Sequence, residues 1–329
     1  MDRDQLLSLV RAFLAQPTAP FHEDAVRAEI HLQLAQCPHV QTTVDESGNI
    51  VAHYQRGSAT PRFALAAHMD HPGFVGGEFL GGVPEGYRAN DPPTRDFGAF
   101  AMWDLPAFAV REERIYSRAC DDLIGCAAIL ATFFQLEETG AEASVHGLFS
   151  RAEEVGFVGA IELAKGGLLP REVTIVSLET SSEKSGGCRM GDGVIVRVGD
   201  RTSVFDPATT ATFLDLAKRA AIPAQRCLMS GGTCEATAYQ LFGYRCGALC
   251  IALGNYHNCG PDLRIEPEFV AISDLEAMVG LCGEIARAAA PLSAAEDVLR
   301  ARLEARAADY TRRFAITPAR GEGTAPSVP

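Results

Sequence analysis

Apolar and polar positions along the 329-residue chain alternate between two rhythms. Short apolar runs closed by polar residues, at 63–67, 145–149, 173–178 and 248–253, read as buried strands. Around them, residues 6–14, 23–34, 123–136, 158–164, 209–220 and 234–241 read as helices. Residues 41–54 alternate apolar with polar about Ser47-Gly48-Asn49, a hairpin signal. Strands alternating with helices predict an α/β fold, a three-layer α/β/α sandwich around a mixed, mainly parallel sheet.

Two regions break this rhythm. From Pro72 to Glu113 the chain is rich in Gly, Pro and aromatic residues without a helical pattern, which predicts a small β-rich insertion or lid. Residues 294–314 carry Leu299, Leu303, Ala307, Tyr310 and Phe314 at intervals of three and four, one apolar stripe on a helix. That stripe is expected to pack on the body or on a partner subunit, and the tail from Thr317 to be disordered. The expected organisation is a catalytic domain of residues 1–71 and 116–291, an insertion at 72–115, and a C-terminal helix with its tail at 292–329.

Charge and cysteine usage narrow the function classes. A formal net charge of −13 argues against a nucleic-acid or anionic-membrane surface. No run approaches the roughly 18 apolar residues of a spanning helix, and the start lacks a signal-peptide pattern, so a cytoplasmic protein is expected. The 10 cysteines include no C-x-x-C pair and are expected to be reduced and mostly buried, with Cys120 and Cys234 beside candidate site residues.

The chemistry gathers behind the predicted strands. Residues 63–67 run into His68-Met69-Asp70, 145–149 into Glu153-Glu154, 173–178 into Glu179, and 248–253 into His257. Ligands of open α/β sheets bind at the carboxyl ends of strands, and four strands each deliver a His or a carboxylate there. Asp121-Asp122 adds a fifth contribution directly before the helix at Leu123, which Asp122 could simply cap. Two His with several carboxylates form a mixed N/O donor set suited to zinc or cobalt. A carboxylate placed as Asp121 is can bridge two ions. If Glu153 and Glu154 lie in extended backbone they point to opposite sides, one for a metal and one free to act as general base. Asp70, two residues after His68, is placed to orient its ring.

At these residues the sequence resembles the M42 family of glutamyl and tetrahedral aminopeptidases, within the wider dizinc peptidase clan of the M20 and M28 families. The matching pieces are His68-Met69-Asp70, Cys120-Asp121-Asp122-Leu123-Ile124-Gly125 and Glu153-Glu154-Val155-Gly156-Phe157-Val158-Gly159-Ala160. Glu179-Thr180, Ile222-Pro223-Ala224-Gln225, Gly231-Gly232-Thr233 and Tyr256-His257-Asn258 follow in family order. The resemblance implies a phosphorylase/hydrolase-like fold holding two divalent ions, zinc or alternatively cobalt or manganese. It places His68 and Glu179 on one ion, Glu154 and His257 on the other, and Asp121 between them. Glu153 becomes the general base, Asp70 a positioning residue, and the Asp121–Asp122 peptide cis. A peptide is the implied substrate and a homo-oligomer the implied state. Gly232 and Thr233 would form a substrate-side loop; His71, by its position beside Asp70 rather than by the resemblance, could contact substrate.

Three departures from the family pattern qualify that picture. Glu179 stands where aminopeptidases of this family more often have Asp. His71 stands where an acidic residue is usual, and the stretch from Asp70 to Asp121 is short for the domain that helps build the family's hollow assemblies. Glu179 keeps two alternatives open, a carboxypeptidase or an N-acyl amino acid deacylase, for which Arg88, Arg189 or Arg264 could bind a substrate carboxylate. A metal-binding homologue without catalysis is the third alternative, against which the retained Glu153 argues.

Overall fold

The computed structural model describes residues 1–83, 85–88, 94–182, 184, 186–289, 292–311 and 313. Two compact units emerge, residues 1–289 and 290–329.

The first unit opens with helices α1 (Arg3–Leu14) and α2 (Asp24–Leu34). Asp2 caps α1 in a reciprocal capping box with Gln5, satisfying N–H groups that a helix start leaves unpaired. The hairpin follows as β1 (Val40–Val44) and β2 (Ile50–Arg56), then the buried strand β3 (Phe63–His68). Six short strands come next: β4 (Gly73–Val75), β5 (Glu78–Leu80), β6 (Thr94–Asp96), β7 (Phe100–Trp103), β8 (Ala109–Arg111) and β9 (Arg114–Ser117). A single helical turn, α3 (Glu85–Arg88), interrupts them where the sequence pattern signals no helix.

The remainder alternates helix and strand: α4 (Leu123–Thr139), β10 (Ala143–Ser150), α5 (Val158–Gly166), β11 (Thr174–Ser182) and β12 (Val194–Gly199). Then come α6 (Pro207–Arg219), β13 (Ala224–Leu228), α7 (Glu235–Leu241), β14 (Arg245–Leu253), β15 (Glu268–Ala271) and α8 (Ile272–Arg287). The eight-stranded sheet has the order β1-β2-β10-β3-β11-β14-β12-β13. Its four central strands β10, β3, β11 and β14 run parallel. Helices α1, α4 and α8 pack together over one face, and α5 and α7 pack together over the other. The expected three-layer sandwich is therefore the observed one. Strand β11 runs four residues past the end of its apolar run, because β14 pairs with it from Thr174 through Ser182.

Of the short strands, β4–β7 form one four-stranded sheet, and β8 and β9 join β15 in a three-stranded one. Inside the former, Phe74 packs edge to face against both Phe79 and Trp103, the geometry that aromatic quadrupoles favour.

Cys188 and Cys227 are disulfide-bonded, against the expectation of reduced thiols throughout, and their Cα atoms lie 6.6 Å apart, within bridging reach. Cys120 and Cys234 are buried free thiols whose pKa burial raises further, which leaves both unreactive.

One buried group ties stability to pH. His146 on β10 stacks on His53 of β2 at 4.3 Å between ring centroids, and neither of its nitrogens has a hydrogen-bond partner among the described residues. Burial, reinforced by His53, pushes its pKa down from 6.5 to about 4. Above pH 6.5 the ring is neutral in both states. Below it, the unfolded chain takes up a proton that the folded chain refuses until about pH 4, so stability falls as pH drops through that window. His146→Leu is expected to flatten the decline of melting temperature between pH 6.5 and 4, measured by calorimetry. An unchanged slope would assign the acid sensitivity elsewhere.

In the second unit, α9 (Ser293–Thr311) carries the predicted stripe. Its Leu299, Leu303 and Tyr310 are exposed, where the periodicity leads one to expect cover. Phe314 and the tail from Thr317 lie outside the described residues.

Candidate metal centre

Parallel register brings the predicted residues to one edge of the sheet. His68 ends β3 opposite Ser150 of β10, and Glu179 lies on β11 opposite Cys250 of β14. Beyond β14 the chain turns through Asn255 to His257, which has left-handed backbone (φ 51°). Asp121 precedes α4 at a cis Asp121–Asp122 bond, as the resemblance implies. Asp122 caps that helix, its carboxylate accepting from Gly125 N–H at 3.2 Å.

Glu153 and Glu154 lie past the end of β10, after left-handed backbone at Ala152 (φ 52°). Glu153 O accepts from the N–H groups of Gly156 and Phe157 to open a turn, so strand alternation does not set the directions of the two acids. The glycines of that motif have separate reasons. Gly156 has φ +114°, a conformation L side chains rarely adopt. At Gly159 a Cβ would lie 2.4 Å from Arg151 N and Asn49 Oδ1, so glycine lets α5 start against the strand end.

Around Asp121 the side chains converge. Its Oδ1 lies 3.5 Å from His68 Nε2 and its Oδ2 3.6 Å from His257 Nε2. Glu154 Oε1 stands 3.2 Å from His257 Nε2, and Glu153 Oε2 4.0 Å from His68 Nε2. Two groups of donor atoms, His68–Asp121–Glu179 and Asp121–Glu154–His257, each fall within 4.8 Å and share Asp121. A third such group joins His68 to Glu153 and Glu154.

The cluster fits a divalent cation. Among the described residues, Asp121 Oδ1 and Glu154 Oε1 are buried and accept no hydrogen bond, an arrangement that costs free energy unless something positive meets them. Burial and neighbouring acids push Glu179 up to about 7 and Glu153 well above the usual carboxylate range, despite the opposing pull of His68. Burial would raise Asp121 too, but His257 and His68 outweigh it and hold its pKa below the usual range. Two imidazoles among carboxylates are the donor chemistry of zinc-type sites.

Several carboxylates act on backbone instead. Asp70 accepts from the N–H groups of Glu153 and Glu154 at 2.9 and 3.1 Å, so it fixes that turn. Its backbone carbonyl lies 3.1 Å from His68 Nδ1 and its carboxylate 3.5 Å, so the ring is oriented mainly by the carbonyl. Glu268 accepts from the N–H groups of Cys120, Asp121 and His257 at 2.7, 3.1 and 2.8 Å. Glu235, under the sheet edge, accepts from Ser150 Oγ at 2.8 Å. His71 is buried, with Nδ1 2.7 Å from Asp121 O and Nε2 3.1 Å from Asn258 Oδ1, so it ties the ligand-bearing turns together. Neither Glu268 nor Glu235 stands in a motif the sequence reading uses, and nothing short of the fold reveals them.

The cluster opens into a chamber of about 300 Å³. Gly232 lines it, while Thr233 Oγ1 bonds Thr202 Oγ1 at 2.6 Å. Arg189 and Arg264 are exposed and outside its lining, and the side chain of Arg88 lies outside the described residues. Two cations do reach the wall, Lys184 and the buried Arg197, 3% exposed, with Nη1 3.1 Å from Ser181 Oγ and Nε unpartnered among the described residues. The one sequence signal of Arg197 is a charge inside the apolar run Val194-Ile195-Val196-Arg197-Val198.

Among the described residues, no helix is long and apolar enough to cross a membrane. Solved structures share the fold. The aminopeptidase APDkam598 from the archaeon Desulfurococcus kamchatkensis is 21% identical with a TM-score of 0.74, over 90% of this chain and 98% of its own. The TET aminopeptidase of a marine sediment Thaumarchaeota archaeon is 18% identical with a TM-score of 0.73, over 87% and 97%. The Pyrococcus horikoshii TET1 peptidase, which can assemble into a tetrahedron or a large octahedral shell, is 21% identical with a TM-score of 0.70, over 85% and 99%. The family profile of M42 glutamyl aminopeptidases matches residues 95–281, more than half the chain and all the clustered residues except His68. With that match and that fold, the chain belongs to the M42 glutamyl aminopeptidase family, and it is a hydrolase acting on peptide bonds.

Proposed function

We propose that this protein removes N-terminal residues from peptides, using two divalent ions, zinc or else cobalt or manganese, held by His68, Asp121, Glu154, Glu179 and His257. The observation that carries the reading is the pair of donor groups sharing Asp121. Such ions, when bound, polarise the scissile carbonyl and acidify the attacking water.

The chain's own residues do the rest. Glu153 is held by its N–H on Asp70, with its carboxylate 4.0 Å from His68 Nε2. There it accepts the proton of the attacking water and returns it to the leaving amine. Burial raises its proton affinity, which suits both directions of transfer. The surrounding carboxylates of Asp121, Glu153 and Glu179 attract a free α-ammonium group. Arg197, in the wall of the same chamber, favours an acidic first side chain, in keeping with the glutamyl preference that names the family.

Matched free and N-acetylated peptides, with Glu or Leu first, test this by mass spectrometry on enzyme reloaded with each metal. Stepwise loss from free N-termini only, faster for Glu, is expected. Arg197→Met should erase about tenfold of the Glu preference, the scale of a hydrogen bond to a charged group. Cleavage of blocked peptides, or from the carboxyl end, would overturn the aminopeptidase reading. It would reassign Arg197 to a substrate carboxylate in a deacylase or carboxypeptidase. A homo-oligomeric, cytoplasmic state is proposed on the resemblance to the assemblies above, with the solution mass as its test.

A further inference from the structure

Beside the metal-cluster chamber lies a second one of about 630 Å³, twice its size. The two share Ser182, Lys184, Gly231 and Tyr256, so they are compartments of one cleft. Their acids are divided unevenly. The first presents Asp121, Glu153 and Glu179 together with Arg197 and, in the wall it shares with the second, Lys184. The second presents Lys184 and Arg201 and, among the described residues, no Asp or Glu in its lining. In a chain of net charge −13, a cavity whose charged lining residues, among the described ones, are both cations runs against the composition.

We propose that this second chamber receives the leaving part of the peptide, and that Lys184 and Arg201 bind its terminal carboxylate. The inference rests on the aminopeptidase reading and adds the substrate class, short peptides with a free C-terminus. The first chamber, at about 300 Å³ with buried Arg197 and Met229 in its wall, has room for little beyond one residue's side chain. The scissile bond has to lie at the metal cluster, so the rest of the substrate leaves through the adjoining space. A peptide carries its ammonium at one end and its carboxylate at the other, and the two compartments carry the matching complement in the same order. An extended chain covers at most about 3.3–3.6 Å per residue, so a carboxylate held in the neighbouring compartment belongs to a peptide of only a few residues. Arg201 is anchored for the task, its guanidinium donating to the carbonyl of Gly231 in the shared wall. Tyr256, stacked on His257 at 3.8 Å between ring centroids, lines both compartments.

The test compares tripeptides ending in a free carboxylate with the same peptides ending in an amide, reading release of the N-terminal residue by the full-length, metal-loaded enzyme. The wild type is expected to favour the free acid by about tenfold or more in kcat/KM, carried by KM, since a charge-assisted contact is made equally in ground and transition states. In Lys184→Gln/Arg201→Gln the ratio should fall toward one, with the amide serving as reference within each enzyme. High salt should lower the wild-type preference as well. Equal use of acid and amide by the wild type, or preference for the amide, would overturn the proposal while leaving the aminopeptidase reading intact. Release of only C-terminal residues, or no turnover of either series or of an N-terminal aminoacyl anilide, would instead overturn the aminopeptidase reading on which it rests.

Discussion

Glu153→Gln is expected to lower kcat by about 10²- to 10⁴-fold, the usual contribution of a positioned general base, with bound metal unchanged. The substitution keeps the shape of the side chain and the backbone N–H that Asp70 Oδ1 holds at 2.9 Å. It removes only the capacity to take up a proton. Among the clustered acids Glu153 has its Oε2 4.0 Å from His68 Nε2, farther than the Asp121 and Glu154 contacts with the two imidazoles. Two measurements decide the outcome: steady-state kinetics, and metal content by plasma mass spectrometry after dialysis. Retained turnover would move the base elsewhere. Lost metal together with lost turnover would make Glu153 a ligand.

Asp121→Asn should have the opposite signature. Asp121 is the residue the two donor groups share, with one oxygen facing His68 and the other His257. An amide at that position offers one neutral oxygen, so both ions lose their common partner. Metal content is expected to fall from about two equivalents to one or fewer, with turnover reduced at least as far as in Glu153→Gln. Equilibrium dialysis against zinc gives the stoichiometry directly. Two ions retained with wild-type affinity would remove Asp121 from the bridge. Compared side by side, the two variants separate proton transfer from ion binding, which chelation of the wild type alone cannot do.

The residues that carry these predictions were legible in the sequence because each sits next to a signal with its own physical cause. His68 and Glu179 follow or extend buried apolar strands, Asp121 stands before a helix start, and Glu153-Glu154 lies in a motif whose glycines are needed for a positive φ and a close helix approach. What escaped is long-range. Glu268 acts on the N–H groups of Cys120 and His257, 148 and 11 residues away, and no local pattern encodes such a contact. Arg197 reads as a break in an apolar run until the fold sets β12 beside β14 and turns its side chain to the chamber. The spacing of Asp70 from His68 points to a positioning residue, but its carboxylate works mainly on the amides of Glu153 and Glu154, 83 and 84 residues away. The pairing of Cys188 with Cys227 spans 39 residues and has no spacing motif to announce it.

The tie that His71 makes between Asp121 and Asn258 also bears on how such proteins diversify. The excursion of short strands β4–β9 leaves the sheet just after His71 and returns just before Asp121, so its two ends are already pinned together at the cluster. Once the ends of a loop are fixed, lengthening it costs only about (3/2)RT ln n in closure entropy, roughly 0.6 kcal/mol per doubling. The wall of the cleft can therefore grow, shrink or be exchanged over evolutionary time while the ligand-bearing turns keep their places. Substrate choice and assembly become free to drift, and the hydrolytic centre does not.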